Sequence, residues 1–249
     1  GTLPCLNKRG VEFAIRVCHA LHMEIDELLC FDRKNYYYSD LPKGFQITQD
    51  KRPIGRNGYL MIEVDGEEKR IDIERLHMEE DTAKQLHLTD YSLIDYNRAG
   101  IPLIEIVTKP CIRSGKEASA YLEALRQVFL YTEVSDAKLE EGSMRCDVNV
   151  SIRPFGQEAF GTRTEIKNLN SISNVQKAID YEAGRQQEVI ESGGEVLQET
   201  RRYDEVEKVT TVMRSKGDAV DYKYYTEPNI LPIRLDHAWV EQIDRKSVV

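Results

Sequence analysis

The carboxylates of this chain are the side chains whose positions most directly suggest chemistry. Glu105 lies in residues 101–107, where its chain neighbours Ile104 and Ile106 are apolar. Because strand side chains alternate between two faces, this segment predicts a strand with an acidic group among apolar residues. A buried carboxylate needs a cation or several hydrogen-bond donors, so we expect Glu105 to be buried and to bind a metal ion. The alternative is a structural ion pair with an arginine.

Further acidic residues lie in residues 79–81 and 140–141, and at Asp147 and Glu165. Oxygen ligands without paired cysteines or histidines favour magnesium or manganese over zinc. Magnesium usually accompanies phosphate groups, yet the chain has neither a P-loop nor a Gly-rich dinucleotide motif. We therefore expect a nucleotide site of another type. The alternative for the acidic runs is a solvated surface.

Polar and apolar residues alternate over residues 144–153 and 158–169, which predicts a hairpin with one polar face. A three-residue loop at 154–156 would pair Asp147 with Arg163, and Arg145 with Glu165. Such a face can bind a metal through its carboxylates and neutralise phosphates through its lysine. The residues we expect to bind ATP and Mg²⁺ there are Asp147, Asn149, Glu165 and Lys167.

A basic and tyrosine-rich patch covers residues 31–52, which include Lys34, Tyr36, Tyr37 and Lys43. Cations interleaved with aromatic rings can neutralise phosphates and stack on unpaired bases. The net charge of -9 argues against general binding to a nucleic-acid backbone, so any such contact must be local. The alternative for this patch is a tyrosine-rich edge strand without a ligand.

The elements that position these residues follow from capping and turn signals. Asn7 and the Ser114/Glu117 capping box predict helix starts, and Gly193-Gly194 predicts the end of a helix over 173–192. Asp65-Gly66 predicts a two-residue hairpin turn. Because helical and strand patterns occur in blocks, we predict an α+β fold, mainly an antiparallel sheet with flanking helices.

The composition sets further limits. The 249 residues fit one large domain or two small ones, and the five scattered cysteines predict free thiols in a reducing compartment. No apolar run approaches membrane-spanning length, so we expect no membrane association and a cytoplasmic location, or an organellar matrix in a eukaryote. Because the first residue is Gly1 and not Met, we expect a piece of a longer chain.

Long and chemically unusual segments carry a resemblance to a known family. They include Phe31-Asp32-Arg33-Lys34-Asn35-Tyr36, Asp40-Leu41-Pro42-Lys43-Gly44, Arg75-Leu76-His77-Met78-Glu79-Glu80-Asp81, Asn97-Arg98-Ala99-Gly100 leading into Glu105, Glu140-Glu141-Gly142-Ser143-Met144-Arg145-Cys146-Asp147-Val148-Asn149, Lys167-Asn168-Leu169-Asn170-Ser171 and Glu199-Thr200-Arg201-Arg202. On these segments the chain closely resembles the B subunits of bacterial and organellar glutamyl/aspartyl-tRNA amidotransferases.

The resemblance implies that residues 1–249 form a single catalytic domain, similar to the glutamine synthetase and guanidino-kinase fold, of an ATP-dependent carbon–nitrogen ligase. Such proteins use ATP and Mg²⁺ to phosphorylate the side-chain carboxylate of misacylated Glu-tRNA(Gln) or Asp-tRNA(Asn). Ammonia from the partner amidase then yields the amide, and a small third protein completes a heterotrimer. By position, Glu80 and Glu105 resemble metal ligands, and Lys34, Lys43 and Glu80 resemble catalytic residues at the exit of the ammonia tunnel.

Two departures from the family pattern shape our expectations. The family has an earlier strand with a Leu-Glu-Val-His segment upstream of Gly1, and C-terminal helical and tail domains that bind tRNA. We therefore expect this chain alone to bind ATP and magnesium weakly and to lack transamidation activity. Two alternatives stay open: a non-catalytic tRNA-binding or assembly scaffold, and a free-standing ligase of the glutamine synthetase type.

Overall fold

The computed structural model describes residues 2–215 and 221–247. Its helices are α1 (Lys8–Ala20), α2 (Gly115–Tyr131), α3 (Ile172–Glu191) and α4 (His237–Ser247). Its strands are β1 (Glu24–Ile25), β2 (Leu28–Leu29), β3 (Asp32–Asn35), β4 (Phe45–Thr48), β5 (Gly55–Val64), β6 (Glu67–Glu80), β7 (Lys84–His87), β8 (Ser92–Asp95), β9 (Pro102–Thr108), β10 (Val148–Val150), β11 (Thr164–Lys167), β12 (Glu199–Asp204), β13 (Val209–Ser215), β14 (Lys223–Thr226) and β15 (Ile233–Arg234).

The described residues divide into two compact units. The first comprises residues 2–60, 70–111 and 221–247. Its largest sheet has the strand order β1-β5-β6-β9, and β14-β3-β4, β15-β2 and β7-β8 form smaller sheets. The hairpin end of β5 and β6, within residues 61–69, belongs to the second unit. All these strand pairs with a resolved register are antiparallel. Helix α1 contributes Ala14, Ile15 and Cys18 to the core, where all three are fully buried.

The second unit comprises residues 61–69 and 112–219, of which 216–219 lie outside the described part. Its sheet has the strand order β10-β11-β12-β13. Strands β11 and β12 run parallel, whereas β10 and β13 run antiparallel to their neighbours. Helix α3 buries Val175 and Ala178, and strand β11 buries Ile166, so an apolar core forms between the helix and the sheet.

The helix starts and the helix end predicted from capping signals are confirmed, but the Ser114/Glu117 capping box is not formed. The Asn7 side chain accepts hydrogen bonds from the backbone N–H groups of Arg9 and Gly10 at the start of α1. Ser114 Oγ accepts from Glu117 N at 3.1 Å, but the Glu117 carboxylate accepts from Arg113 N instead of closing a capping box. At the C-terminal end of α3, Gly193 adopts a φ of 81°, as expected of a helix-terminating glycine.

The turn between β5 and β6 is also confirmed. Asp65 and Gly66 have φ values of 54° and 79°, the two positive angles that a type I′ turn requires. Mixed helices and mainly antiparallel sheets make the fold α+β, as predicted. The single catalytic domain over 1–249 stays a prediction, and so does the likeness to glutamine synthetase. None of the helices that the structure describes has the length and hydropathy needed to cross a lipid bilayer.

The predicted hairpin of the second unit is wrong in register and extent. Strands β10 and β11 have three and four residues, and Asn149 lies opposite Glu165. The predicted pairing of Asp147 with Arg163 and of Arg145 with Glu165 is therefore shifted by four residues. A turn does form at Pro154, whose C=O accepts from Gln157 N at 3.1 Å, but the strands do not extend to it. Local turn chemistry alone did not determine the register.

Candidate functional site

The register of β6 and β9 brings three potential metal ligands onto one sheet face. His77 lies directly opposite Glu105, and Glu79 lies two residues further along β6. Since residues two apart on a strand share a face, His77 and Glu79 both lie on the same face as Glu105. The antiparallel pairing converts two separate sequence segments into one cluster, which we call the acidic–imidazole cluster.

The acidic–imidazole cluster has the dimensions of a metal site. His77 Nε2 lies 3.3 Å from Glu79 Oε2 and 3.8 Å from Glu105 Oε2. One ligand atom from each of the three residues lies within 4.8 Å of the others. The side chains of His77 and Glu79 are 11% and 13% exposed, so two ligands are already partly desolvated. Such an arrangement can bind a divalent cation.

The chemistry of these donors bears on which ion fits. Two carboxylates suit the hard cations Mg²⁺ and Mn²⁺, as the oxygen-rich composition predicted. The imidazole of His77 adds a borderline donor that also admits transition metals. His77 Nδ1 is buried without a hydrogen-bond partner among the described residues, so no second group there orients the ring. The cluster therefore fits a divalent cation and does not select magnesium by donor type alone.

The predicted burial of Glu105 is wrong. Its side chain is 54% exposed, and its neighbours Ile104 and Ile106 are only half-buried. Strand β9 is the last strand of its sheet among the described residues, so no further strand covers that edge. Apolar flanks indicated burial on both faces, but an edge strand keeps part of each face in water. The grouping of Glu105 with other ligands thus rests on register, not on burial.

Glu80 lies on the opposite face of β6 from Glu79 and faces different partners. Its carboxylate forms an ion pair with Lys43 and accepts a hydrogen bond from Ile47 N at 3.0 Å. Glu80 and Lys43, both assigned from the resemblance, are therefore in direct contact. Glu80 as a metal ligand stays a prediction, and the geometry favours Glu79 beside Glu105.

Lys34, the third residue assigned from the resemblance to the tunnel exit, lies among aromatic rings. Its Nζ is 4.1 Å from the ring centroid of Tyr222 and 5.8 Å from that of Tyr36. The two rings meet edge to face with centroids 5.2 Å apart. Ring faces attract cations, so this arrangement stabilises the ammonium group without a carboxylate. Tyr37, the next residue after Tyr36, is fully exposed.

The residues assigned to the nucleotide share a face of the second unit, as predicted. Lys167 Nζ lies 2.5 Å from Asp147 Oδ2 and 3.3 Å from Glu165 Oε1. Asn149 is exposed opposite Glu165, whose other oxygen accepts from Thr200 Oγ1 at 3.1 Å. Because the register error was an even number of residues, the faces stayed correct. The nucleotide-binding role of these four residues stays a prediction.

The charge state of Lys167 follows from these neighbours. Burial lowers its pKa, but the carboxylates of Asp147 and Glu165 outweigh burial and raise the pKa above the usual value for lysine. Lys167 therefore stays an ammonium group throughout the neutral range. It occupies both carboxylates in this structure, so an incoming cation or phosphate must compete for them.

Sequence reasoning missed His77 and Glu79 as ligands. Both lie in the segment that carried the resemblance, but the scattered histidines gave no ligand spacing, and Glu79 and Glu80 are adjacent. The useful signal was parity, because His77, Glu79 and Glu105 share a face in any register that differs from the observed one by an even number of residues. They lie close together only because His77 pairs directly with Glu105. The β7–β8 hairpin lies between these two strands in the sequence, and local patterns predicted neither the hairpin nor the register of β6 against β9.

Comparison with known proteins places this geometry in a family context. A family model described as the GatB/GatE catalytic domain matches residues 1–241. Proteins named as B subunits of the aspartyl/glutamyl-tRNA(Asn/Gln) amidotransferase, from Mesoplasma florum and Staphylococcus aureus (strain MRSA252), are each 58% identical to the chain, over 247 and 243 residues. The alignments cover 99% and 98% of this chain but 52% and 51% of those proteins. The chain thus spans about half the length of the curated relatives it matches.

Proposed function

The chain belongs to the GatB/GatE catalytic domain family, and from that premise we propose that it activates the side-chain carboxylate of misacylated Glu-tRNA(Gln) or Asp-tRNA(Asn). The terminal phosphoryl group of ATP is transferred to that carboxylate, and ammonia then displaces phosphate to leave the amide. The observation that carries this proposal is the acidic–imidazole cluster of His77, Glu79 and Glu105 on one sheet face.

The proposed reaction needs activation because a carboxylate is a poor electrophile. Attack by ammonia on a free carboxylate would have to expel oxide or hydroxide, whereas phosphorylation makes the departing group phosphate. Two anions must approach each other during phosphoryl transfer, so the site must offset their repulsion. A divalent cation bound by His77, Glu79 and Glu105 would supply positive charge at that step.

The other residues of the proposal act through charge and position. Lys34 and Lys43 provide ammonium groups on β3 and in the loop before β4, and Glu80 holds Lys43 in an ion pair. We assign these three residues to the delivery of ammonia. Attack by ammonia leaves a positively charged nitrogen that must lose a proton to form the amide, and a carboxylate such as Glu80 can accept that proton.

On the second unit we assign Asp147, Asn149, Glu165 and Lys167 to ATP. Lys167 can neutralise phosphate oxygens, and the carboxylates of Asp147 and Glu165 can bind a metal ion that accompanies a nucleotide. The proposed partners are the acceptor end of the tRNA, an amidase that releases ammonia from glutamine, and the small third protein of the heterotrimer. The exposed Tyr37, three residues after Lys34 in the sequence, suits an unpaired base at that end of the tRNA. A cytoplasmic location and Mg²⁺ as the ion belong to the same proposal.

An isotope-transfer experiment tests the proposed function. The complete amidotransferase containing this chain is supplied with ATP, glutamine and Glu-tRNA(Gln) whose side-chain carboxylate carries ¹⁸O at both oxygens. Carboxylate phosphorylation predicts one ¹⁸O atom in each released inorganic phosphate. A reaction that forms amide without label in phosphate contradicts the proposal. Amide formation that survives loss of the acidic–imidazole cluster would instead support a non-catalytic scaffold.

Glu105→Gln and Glu74→Gln form a matched pair for this experiment. Both remove one carboxylate, and both side chains are exposed on strands of the same sheet, but Glu74 lies outside the acidic–imidazole cluster. We expect Glu105→Gln to lower the rate at which ¹⁸O-labelled phosphate is released by about a hundredfold, as loss of charge-stabilising groups typically does. Glu74→Gln should leave this rate unchanged. Equal effects of the two variants would remove the cluster from the mechanism.

A further inference from the structure

Strand β6 extends beyond the strand that pairs with it on one side. It has 14 residues and β5 has ten, and a two-residue turn joins them. Counted outward from that turn, β5 can pair with the first ten residues of β6, so the last four, His77 to Glu80, continue without it. Two of the three residues of the acidic–imidazole cluster lie on this extension. Its backbone needs other hydrogen-bond partners, because unpaired buried backbone groups are costly.

A buried glutamine provides such a partner between His77 and Glu79. Gln49 is fully buried, and its Oε1 accepts a hydrogen bond from Met78 N at 2.9 Å. The same oxygen accepts from Ile54 N at 3.1 Å, and Nε2 donates to the Cys30 carbonyl at 3.0 Å. The amide is therefore held by groups outside β6 and presents a fixed acceptor to the strand.

Two further contacts join residues 46–49 to β6. Arg75 Nη2 donates to the Gln49 carbonyl oxygen at 2.5 Å, just before the extension begins. At the end of the extension, Gln46 Nε2 donates to the Glu80 carbonyl oxygen at 2.8 Å. Gln46 and Gln49 thus bond alternate residues of β6, at Glu80 and Met78. This is the spacing at which a neighbouring strand would bond one edge.

We propose that Gln49 is a positioning residue. Its side-chain amide bonds β6 where the shorter β5 no longer pairs with it, and it thereby fixes the backbone between the metal ligands His77 and Glu79. The inference rests on the proposed function, since it gives Gln49 a role in the same site. Gln49 does not touch the metal or the substrate. Its amide sets the position of Met78, and the neighbouring residues His77 and Glu79 carry that position to their side chains. Substitution of a group that orients a metal ligand typically weakens metal binding by about ten- to a hundredfold.

Two measurements on the full-length protein within its complex test this role. Amide hydrogen exchange at Met78 reports the hydrogen bond directly, and titration with Mn²⁺ alone, followed by electron paramagnetic resonance, reports the metal site. We expect Gln49→Met to speed exchange at Met78 by about tenfold, with Leu76 still protected by β5. We also expect it to weaken Mn²⁺ binding by about tenfold.

Two further variants separate positioning from loss of stability. Gln49→Glu keeps an oxygen that can accept from Met78 and Ile54, so it should retain Mn²⁺ affinity within about threefold even where its melting temperature falls. Gln186→Met removes an equally buried glutamine from the second unit and should leave Mn²⁺ affinity unchanged. These two variants also keep the test informative if Gln49→Met does not fold.

The outcomes distinguish the inference from the function on which it rests. A protein that binds Mn²⁺, but whose Gln49→Met variant keeps both its affinity and its Met78 protection, contradicts the role of Gln49 alone. Loss of affinity in Gln49→Glu equal to that in Gln49→Met, or in Gln186→Met, also overturns it. If the unsubstituted protein binds no Mn²⁺, the proposed metal site fails, and the positioning role fails with it.

Discussion

At the scale of single residues, the identity of the ligands depends on which face of β6 each side chain occupies. Glu79 and Glu80 are adjacent, yet Glu79 lies near His77 and Glu105, whereas Glu80 contacts Lys43. A glutamate pair on a strand can therefore serve two environments. The two residues carry the same chemistry in the sequence, and only the strand geometry separates their roles.

We predict different consequences for the two neighbouring glutamates. Glu79→Gln should weaken Mn²⁺ binding by about tenfold or more, because it removes a charged ligand. Glu80→Gln should leave Mn²⁺ affinity within about threefold, because that carboxylate contacts Lys43 and Ile47 N instead. Isothermal titration of both variants with Mn²⁺ checks the difference. Equal losses of affinity would return Glu80 to the metal site.

At the scale of elements, the second unit is held by a buried charge network on α3. The Glu182 side chain is fully buried and accepts hydrogen bonds from Thr164 Oγ1 and Thr210 Oγ1, both at 2.8 Å. Arg185 donates to both carboxylate oxygens, at 2.7 and 3.0 Å. The network joins α3 to β11 and β13, and Thr164 immediately precedes Glu165. Burial raises the pKa of Glu182, but these hydrogen bonds outweigh burial and lower it.

Removing this buried carboxylate should destabilise the protein in a pH-dependent way. Glu182→Gln leaves Arg185 without its buried partner and should lower the free energy of unfolding by about 3 kcal/mol near neutral pH. Because the pKa is lowered in the folded state, the stabilising effect is complete above 4.5, the ordinary value for glutamate, and is lost as pH falls below it.

Urea unfolding at several pH values measures this dependence. The difference between the unsubstituted protein and Glu182→Gln should be constant above about pH 6 and should narrow towards about pH 3. If the difference in unfolding free energy stays constant or widens on acidification, the hydrogen bonds do not lower the pKa of Glu182 in the folded protein.

The turn between β5 and β6 is the element whose sequence signal was most complete. Gly66 has a φ of 79°, a conformation that disfavours side chains with a Cβ. Gly66→Ala should therefore lower the free energy of unfolding by about 1 kcal/mol. Its effect on Mn²⁺ affinity should be absent, because ten residues separate the turn from His77, the first residue of the acidic–imidazole cluster. Parallel urea and Mn²⁺ titrations check both statements, and a loss of affinity would show that the turn sets the register of the site.

At the scale of the whole molecule, features set by residues close in the sequence were predicted correctly. Features set by contacts between distant segments were not. Helix caps, the Asp65-Gly66 turn and the α+β class depend on residues close in sequence, and each is confirmed. The exposure of Glu105 and the pairing of β10 with β11 depend on which strands become neighbours, and each prediction was wrong. Residues of the acidic–imidazole cluster meet across the inserted β7–β8 hairpin, so their proximity is a tertiary property.

The central claim is that His77, Glu79 and Glu105 bind the divalent ion used in carboxylate activation. The most direct measurement is ADP formation by the complete amidotransferase with Glu-tRNA(Gln), comparing Glu105→Gln with Glu74→Gln, while glutamine hydrolysis by the partner amidase serves as the control for assembly. The account predicts that Glu105→Gln lowers ADP formation about a hundredfold with glutamine hydrolysis retained, and that Glu74→Gln does not. ADP formation at the unsubstituted rate in Glu105→Gln would contradict the account.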